Sequence, residues 1–371
     1  MTTATRTETG TLRELFEAPG PFVSVNFDRE MRPQLGGEAE ARWQALARQL
    51  ESAGADRPTL DSLTALVRDS LPGTGALAAF AAGGEVKHSA ALSGPDLGDI
   101  AESAPLPHLL RLLKWRQEHP AHVVCIVDRT GADLLLYPEA SSDVDRRTID
   151  GPDDEIVRTS VGGMSQMRFQ HRAEDSWEHN AAAAADAVEA ALAEVNAKLL
   201  LLAGDVRARQ YLEKHLSQGV RREITVGLVS GSRSADGSAS ERAAQVETET
   251  VRAGREQTAE LLRQLAEERA PGGVGVEGVR ETLGALAVGR LRVLMVTDDP
   301  QDTRTAWFGP GPTEVYARQE DIVPDGGQVR QDRLADVAVR AAVLTGAEVR
   351  VLEPGTPGAP AQGIGGICRF A

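Results

Sequence analysis

The sequence predicts an α/β or α+β protein of more than one domain, and three observations carry that expectation. Its 371 residues exceed what one ordinary core needs and allow two or three domains of about 100–150 residues each; three is the reading adopted. Aromatic residues make up 4% of a chain that is 41% hydrophobic and rich in alanine, which favours helices packed on sheets over an all-β sandwich. Runs of period-two alternation also alternate with helical-period runs along the whole length.

Taken in order, PFVSVNFD alternates apolar and polar residues and reads as a strand, ARWQALARQLESAG has helical spacing, and GALAAFAAGGEVKHSAAL reads as a hairpin turning at Gly83-Gly84. These form an expected N-terminal α/β domain over residues 1–118, bounded near His119-Pro120. A second domain, 119–237, opens with HVVCIVDRTGADLLLYPE, two apolar strands around Arg129-Thr130-Gly131. A polar, Asp-rich stretch follows, then RTSVGGMSQMRFQHRAEDSWEHN, an alanine-rich helix from Asn180, the buried strand KLLLLAGD and the strand ITVGLVSG. The flexible stretch SGSRSADGSAS leads into one long charged helix over about 240–269, within a linking segment set at 238–271 that Pro271-Gly272-Gly273 ends. The last domain, 272–371, alternates helix and strand: VEGVRETLGALAVG, LRVLMVTD, RLADVAVRAAVLTG, EVRVLEP and GGICRFA.

The formal net charge of −15 argues against nonspecific nucleic-acid binding by the whole surface, since counterion release needs clustered cations. Any RNA contact must be local. Two clusters could serve, Arg158, Arg168 and Arg172 around a glycine loop, and Arg207, Arg209, Lys214, Arg221 and Arg222 after the following strand; a solvated face is the simpler reading of each. No segment offers about 18 uninterrupted apolar residues, and the N-terminus has no basic stretch followed by an apolar one. A soluble, cytoplasmic chain without membrane contact is expected. Cys125 and Cys368 sit in apolar stretches and read as buried thiols.

Catalytic signatures are sparse. There is no CxxC, HExxH, Walker loop or GxSxG elbow. Gly273, Gly275 and Gly278 spell G-x-G-x-x-G, but a helix and a proline precede them where a dinucleotide site requires a strand. His171 and His179 lack a third ligand. Asp128, Asp133, Asp153, Asp154 and Glu155 could serve a metal-dependent nuclease, yet they lie in turns where aspartate is favoured by local hydrogen bonding. No cofactor, no metal site and no catalytic residue is assigned. Gly162-Gly163 followed by Met164, Ser165, Gln166, Met167, Arg168 and Phe169 is unusual for a mere turn. Glycines allow close backbone approach, and a loop tip with a thioether, an amide and a guanidinium suits a narrow RNA-walled cavity.

GGMSQMRF, with the helix that ends in Glu178-His179-Asn180, resembles the middle domain of archaeal and eukaryotic class I release factors, which carry Gly-Gly-Gln, Ser, Arg-Phe and a later His-Asn. KLLLLAGD is similar to the strand after that family's loop helix, GVEGVRETLGALAVGRLRVLMV to the start of the release factor and Pelota C-terminal domain, and GIGGICRFA to Pelota's end. The resemblance covers roughly residues 120–371. APGPFVSVNFD and DSLTALVRDSLPG resemble actinobacterial members of the superfamily, without a stop-codon decoding motif. It implies a three-domain release-factor/Pelota-like architecture, each domain a mixed sheet with packed helices, and a loop that enters the peptidyl transferase centre. Met164 stands where the release factors have the glutamine that orients the attacking water. Its side chain has no N–H or carbonyl, so docking is expected and hydrolysis is not.

A bacterial chain with this degenerate loop resembles the Balon group of ribosome-hibernation factors, proteins of the stress response. The resemblance implies binding to the vacant acceptor site of the ribosome and elongation factor Tu as a candidate partner, for a chain expected to be monomeric. The ribosomal RNA contacts would come from Gly162, Gly163, Met164, Ser165, Gln166, Arg168 and Arg172. The competing expectation is a rescue or release factor that hydrolyses peptidyl-tRNA, with Gln166, two residues on, supplying the amide.

Overall fold

A computed structural model describes residues 12–29, 38–71, 73, 75–93, 98–139, 144–150, 165–233, 239–270, 272–322 and 328–370. The elements are mixed α and β, as the composition implies. The chain divides into two compact units, one formed by residues 118–257, the other by residues 6–117 together with 258–371.

In the second of these units, the N-terminal segment builds an antiparallel sheet in the order β3 (Glu85–Leu92), β2 (Ala76–Ala82), β1 (Phe22–Asp28), β4 (Ile100–Ala104). The expected hairpin is present, with Gly83 and Gly84 at φ 60° and 85°, values that glycine adopts without penalty. Helices α1 (Glu38–Ser52) and α2 (Arg57–Asp69) cover one face. There Val23, Val25 and Phe27 of β1 meet Trp43, Leu50, Leu60, Leu63 and Val67 in one apolar cluster. Asp56 starts α2 by accepting the backbone N–H of Thr59 at 3.0 Å, a side-chain cap of the usual kind. Helix α3 (Leu110–Glu118) closes the segment.

The C-terminal segment of the same unit holds a four-stranded sheet, β10 (Gly275–Glu277), β16 (Ile364–Cys368), β11 (Leu291–Thr297) and β15 (Glu348–Leu352). A small sheet, β13 (Val315–Tyr316), β12 (Thr305–Phe308) and β14 (Arg330–Arg333), lies beside it in the sequence. Helices α8 (Val279–Ala287) and α9 (Leu334–Thr345) complete the segment. Almost every residue of α9 is buried, and it ends on Gly346 in the left-handed region at φ 71°. The strands β12, β13 and β14 escape sequence reading because each is short and mixed in polarity.

The middle unit is a five-stranded mixed sheet, β7 (Asp145–Asp150), β6 (Gly131–Tyr137), β5 (His122–Asp128), β8 (Leu199–Gly204) and β9 (Thr225–Leu228). Strands β5, β8 and β9 run parallel, and β6 and β7 return antiparallel. Period-two alternation sends Val123, Cys125 and Val127 to the face covered by α4 (Ser165–Glu194) and α5 (Val206–His215). Val124, Ile126, Leu199 and Leu201 go to the other face, against Val246 and Ala253 of the long helix α7 (Ala239–Glu268). The same helix gives Leu262 and Leu265 to the apolar cluster of Val293, Met295 and Ile367, so its two halves serve two cores. Strand β7 was not expected: its sequence, DRRTID, is polar and largely exposed. An edge strand is held by backbone pairing and needs no apolar face; Arg147 within it bridges Asp145 and Glu194, both at 2.6 Å. Both cysteines are free and buried. Burial pushes the Cys125 thiol up to about 12. No described helix is long and apolar enough to cross a membrane.

Candidate functional site

The expected ribosome-facing segment begins at Gly162, Gly163 and Met164, which lie outside the described residues. Ser165, Gln166, Arg168 and Arg172 fall on the first turns of α4, which starts at Ser165 and runs for 30 residues. Ser165 to Phe169 are therefore helical where the sequence suggested a loop tip. The stretch from Ser165 to the alanine-rich run contains no glycine or proline, so the helix propagates back through good helix formers. Positions 168 and 172 are one turn apart on one face of that helix.

The helix is tied to the sheet at Asn180. This residue is 6% exposed, and its side-chain amide donates to the Arg129 carbonyl at 3.0 Å. The β5–β6 turn that carries Arg129 is closed by Asp128, whose Oδ1 accepts Thr130 N–H at 2.7 Å, Thr130 O–H at 2.6 Å and Gly131 N–H at 3.1 Å. Arg233 then reaches Asp128 at 3.1 Å, Asp133 at 3.3 Å and Asp150 at 3.7 Å. Partial burial would raise the Asp128 carboxyl, but the Thr130 hydrogen bonds and the Arg233 charge hold it below its ordinary value. A nuclease reading of Asp128 and Asp133 loses ground here, because the Arg233 guanidinium already engages both carboxylates; Asp153, Asp154 and Glu155 lie outside the described residues. Arg233 comes from the stretch expected to be a featureless link, where a single arginine among serines and glycines gives no periodic signal.

The second basic cluster occupies α5 and the short helix α6 (Gln218–Glu223). Asp205 caps α5 by accepting the N–H groups of Arg207 and Ala208 at 2.9 and 3.0 Å. Arg207, Lys214, Arg221 and Arg222 are exposed. Lys214 is paired with Glu178 of α4 at 3.3 Å, so the acidic partner on the helix offsets part of the cluster's charge.

In the other unit, three groups from distant parts of the sequence converge. His108 Nδ1 lies 3.0 and 3.1 Å from the two oxygens of Asp336 and 3.7 Å from Glu102. Burial alone would lower the His108 imidazole, but the hydrogen bond and charge of Asp336, with Glu102, hold it above its ordinary value. Asp332, also buried, is pushed up to about 6 by desolvation. This cluster is invisible in the sequence, since His108 and Asp336 sit 228 residues apart and none of its members belongs to a short motif.

Comparison with known proteins bears on the middle unit first. Residues 121–271 match the family model described as bacterial archaeo-eukaryotic release factor family 2. Over 97% of the chain and 96% of its own length, the Mycobacterium tuberculosis (strain H37Rv) "Uncharacterized protein Rv2629" is 29% identical. Among solved structures, Archaeoglobus fulgidus Pelota is 15% identical with a TM-score of 0.38, covering 98% of this chain and 92% of its own. A ribosome-bound archaeal Pelota is 12% identical with a TM-score of 0.41, covering 100% and 95%. The strands β5–β9, the long helix α4 and the motifs GGMSQMRF and KLLLLAGD all fall within the matched segment, and residues 121–271 are similar to that bacterial release-factor family.

Proposed function

We propose that this protein binds the ribosome at the vacant acceptor site, carries the Gly162-Gly163 loop into the peptidyl transferase centre and does not hydrolyse peptidyl-tRNA there, so that it acts as a hibernation factor. The observation that carries the reading is the pairing of a retained diglycine with Met164 in a release-factor-like middle domain. The glycines keep the close backbone approach, while a thioether cannot hold a water by the hydrogen bonds an amide makes. Arg168 and Arg172, one helical turn apart behind the loop, suit phosphates of ribosomal RNA, and a methionine adapts its shape to a base face. The acidic remainder of the chain keeps such contacts local, so binding weakens only modestly as salt rises. Elongation factor Tu is the candidate protein partner.

The test is co-sedimentation with vacant ribosomes, chemical probing of the catalytic centre and a peptide-release assay on stalled complexes. Wild type is expected to pellet with ribosomes, to protect the centre and to release no peptide above background. The double variant Gly162→Val, Gly163→Val is expected to lose the protection while keeping its fold. A variant that protects the centre as well as wild type would defeat loop insertion. The presence of Gln166 two residues beyond Met164 favours one second reading, a rescue or release factor; peptide release that Gln166→Ala abolishes would establish it in place of hibernation.

A further inference from the structure

Within the unit formed by residues 6–117 and 258–371, the N-terminal and C-terminal segments meet around a buried set of ionisable groups. Glu102 stands on β4 and His108 just before α3, while Asp332 and Arg333 end β14 and Asp336 lies in the first turn of α9. His108 and Asp336 are 7% and 1% exposed, and Glu102 retains 18% of its side-chain surface. One ligand atom from each of Glu102, His108 and Asp336 lies within 4.8 Å of the others.

Charge counting makes this cluster unusual. Three carboxylates, Glu102, Asp332 and Asp336, face one guanidinium, that of Arg333, which engages Glu102 at 2.7 and 3.1 Å. Asp332 is committed to the backbone N–H groups of Leu106 and Arg333 at 2.8 and 2.7 Å. Even a protonated His108 leaves one negative charge without a partner, and buried charge is costly unless compensated. A neutral imidazole, three carboxylates, one guanidinium and a dipositive ion would sum to zero. One imidazole nitrogen with two carboxylates is a donor set for borderline first-row ions such as zinc, and less so for calcium or magnesium, which prefer oxygen alone. Arg333, which reaches both oxygens of Glu102, would orient that ligand, as outer-shell partners do.

We propose that Glu102, His108 and Asp336 form a divalent metal site of the zinc class that cross-links the N-terminal and C-terminal segments of this unit. The ion sits against His108 Nδ1 and one oxygen from each carboxylate, with water completing its shell through the partly open Glu102 side. Because the ligands come from segments far apart in sequence, metal affinity adds directly to the stability of the closed arrangement.

The experiment uses the full chain, stripped with a chelator and then titrated with Zn²⁺, with Co²⁺ as a spectroscopic stand-in. Expected are one Zn²⁺ per chain, a higher melting temperature with zinc, and visible absorption from bound Co²⁺ that zinc displaces. Asp336→Asn and His108→Ala should each weaken Zn²⁺ by about 100-fold or more, and Glu102→Gln by about 10-fold or more. Glu102→Gln is partly exposed and tests the site if the buried variants fail to fold. The proposal is overturned if the stripped wild type takes up no stoichiometric Zn²⁺ or Co²⁺, or if Glu102→Gln binds zinc as tightly as wild type.

Discussion

The side-chain amide of Asn180 donates to the Arg129 carbonyl at 3.0 Å, and this bond fixes the helix that starts behind the diglycine to the turn between β5 and β6. The Asn180 Oδ1, by contrast, is buried without a partner, so the residue is held for its donor. Asn180→Ala should cost about 1 kcal/mol, the net worth of one such bond. Asn180→Asp should cost more, roughly 2–3 kcal/mol, because it removes the donor and buries a charge. Urea unfolding curves of the two variants would check the order; an aspartate variant as stable as wild type would contradict the burial argument.

Gly204 ends β8 at φ +103°, and a Cβ there would stand 1.9 Å from the Val127 carbonyl oxygen. The atoms it would meet are backbone atoms of Val127 in the parallel strand β5, whose carbonyl also accepts the Asp205 N–H at 3.0 Å, so the strand cannot easily give way. Gly204→Ala should therefore cost about 3 kcal/mol or more, from strain and clash together. A thermal melt would reveal it as a large drop in midpoint, and a neutral result would mean the β8 end has a different backbone.

These two positions show what the sequence made legible. KLLLLAGD announces a buried strand ending in a turn, and the apolar runs of β1, β2, β5 and β6 were readable for the same reason: each buries a face or both faces, so burial is written into residue type. Strand β7 and the small β12–β14 sheet were not readable, because backbone pairing at an edge makes no demand on side chains. The start of α4 was masked by the diglycine, which drew the following residues into an expected loop. Arg233 and the Glu102–His108–Asp336 cluster lay beyond reach altogether, since tertiary ion pairing joins residues with no common spacing.

Arg233 offers a direct check on the turn. It spans Asp128 and Asp133, and Arg233→Met would leave both carboxylates uncompensated. Because the carboxylates are about one-third exposed, the loss should be near 1 kcal/mol at neutral pH. The sign of its pH dependence follows from Asp128, whose carboxyl is held below its ordinary value partly by Arg233. That stabilisation is present above the unfolded carboxyl range and is lost as pH falls through the lower, folded value. The difference between variant and wild type should thus shrink on acidification. Denaturant curves at neutral and acid pH would show it, and a gap that widens instead would rule out the ion pair as its cause.

His122 makes the strongest pH prediction. Its Nδ1 lies 2.9 Å from the Pro120 carbonyl oxygen, so that nitrogen carries the proton, and its ring stacks on Tyr137 with centroids 4.4 Å apart and planes at 10°. Nε2 is buried without a partner. Burial, with the nearby His119 charge, pushes the imidazole from 6.5 down to about 4, against the opposing pull of the Pro120 bond and of Glu247. The unfolded chain therefore takes up a proton near pH 6.5 while the folded one does not until about pH 4. Between those values the unfolded state binds more protons, so stability should fall as pH drops through this window and level off above it. The shift from 6.5 to about 4 corresponds to a ceiling of roughly 3 kcal/mol at about 1.4 kcal/mol per unit. His119 and Glu247, paired at 2.8 Å, add their own titration, which His122→Phe leaves in place while keeping the stack on Tyr137. The difference in unfolding free energy between wild type and His122→Phe across pH 4 to 7.5 separates this imidazole from His88, which burial also pushes down to about 4: the variant's slope above pH 4.5 should be shallower than the wild type's, and parallel curves would show that folding does not shift the His122 proton.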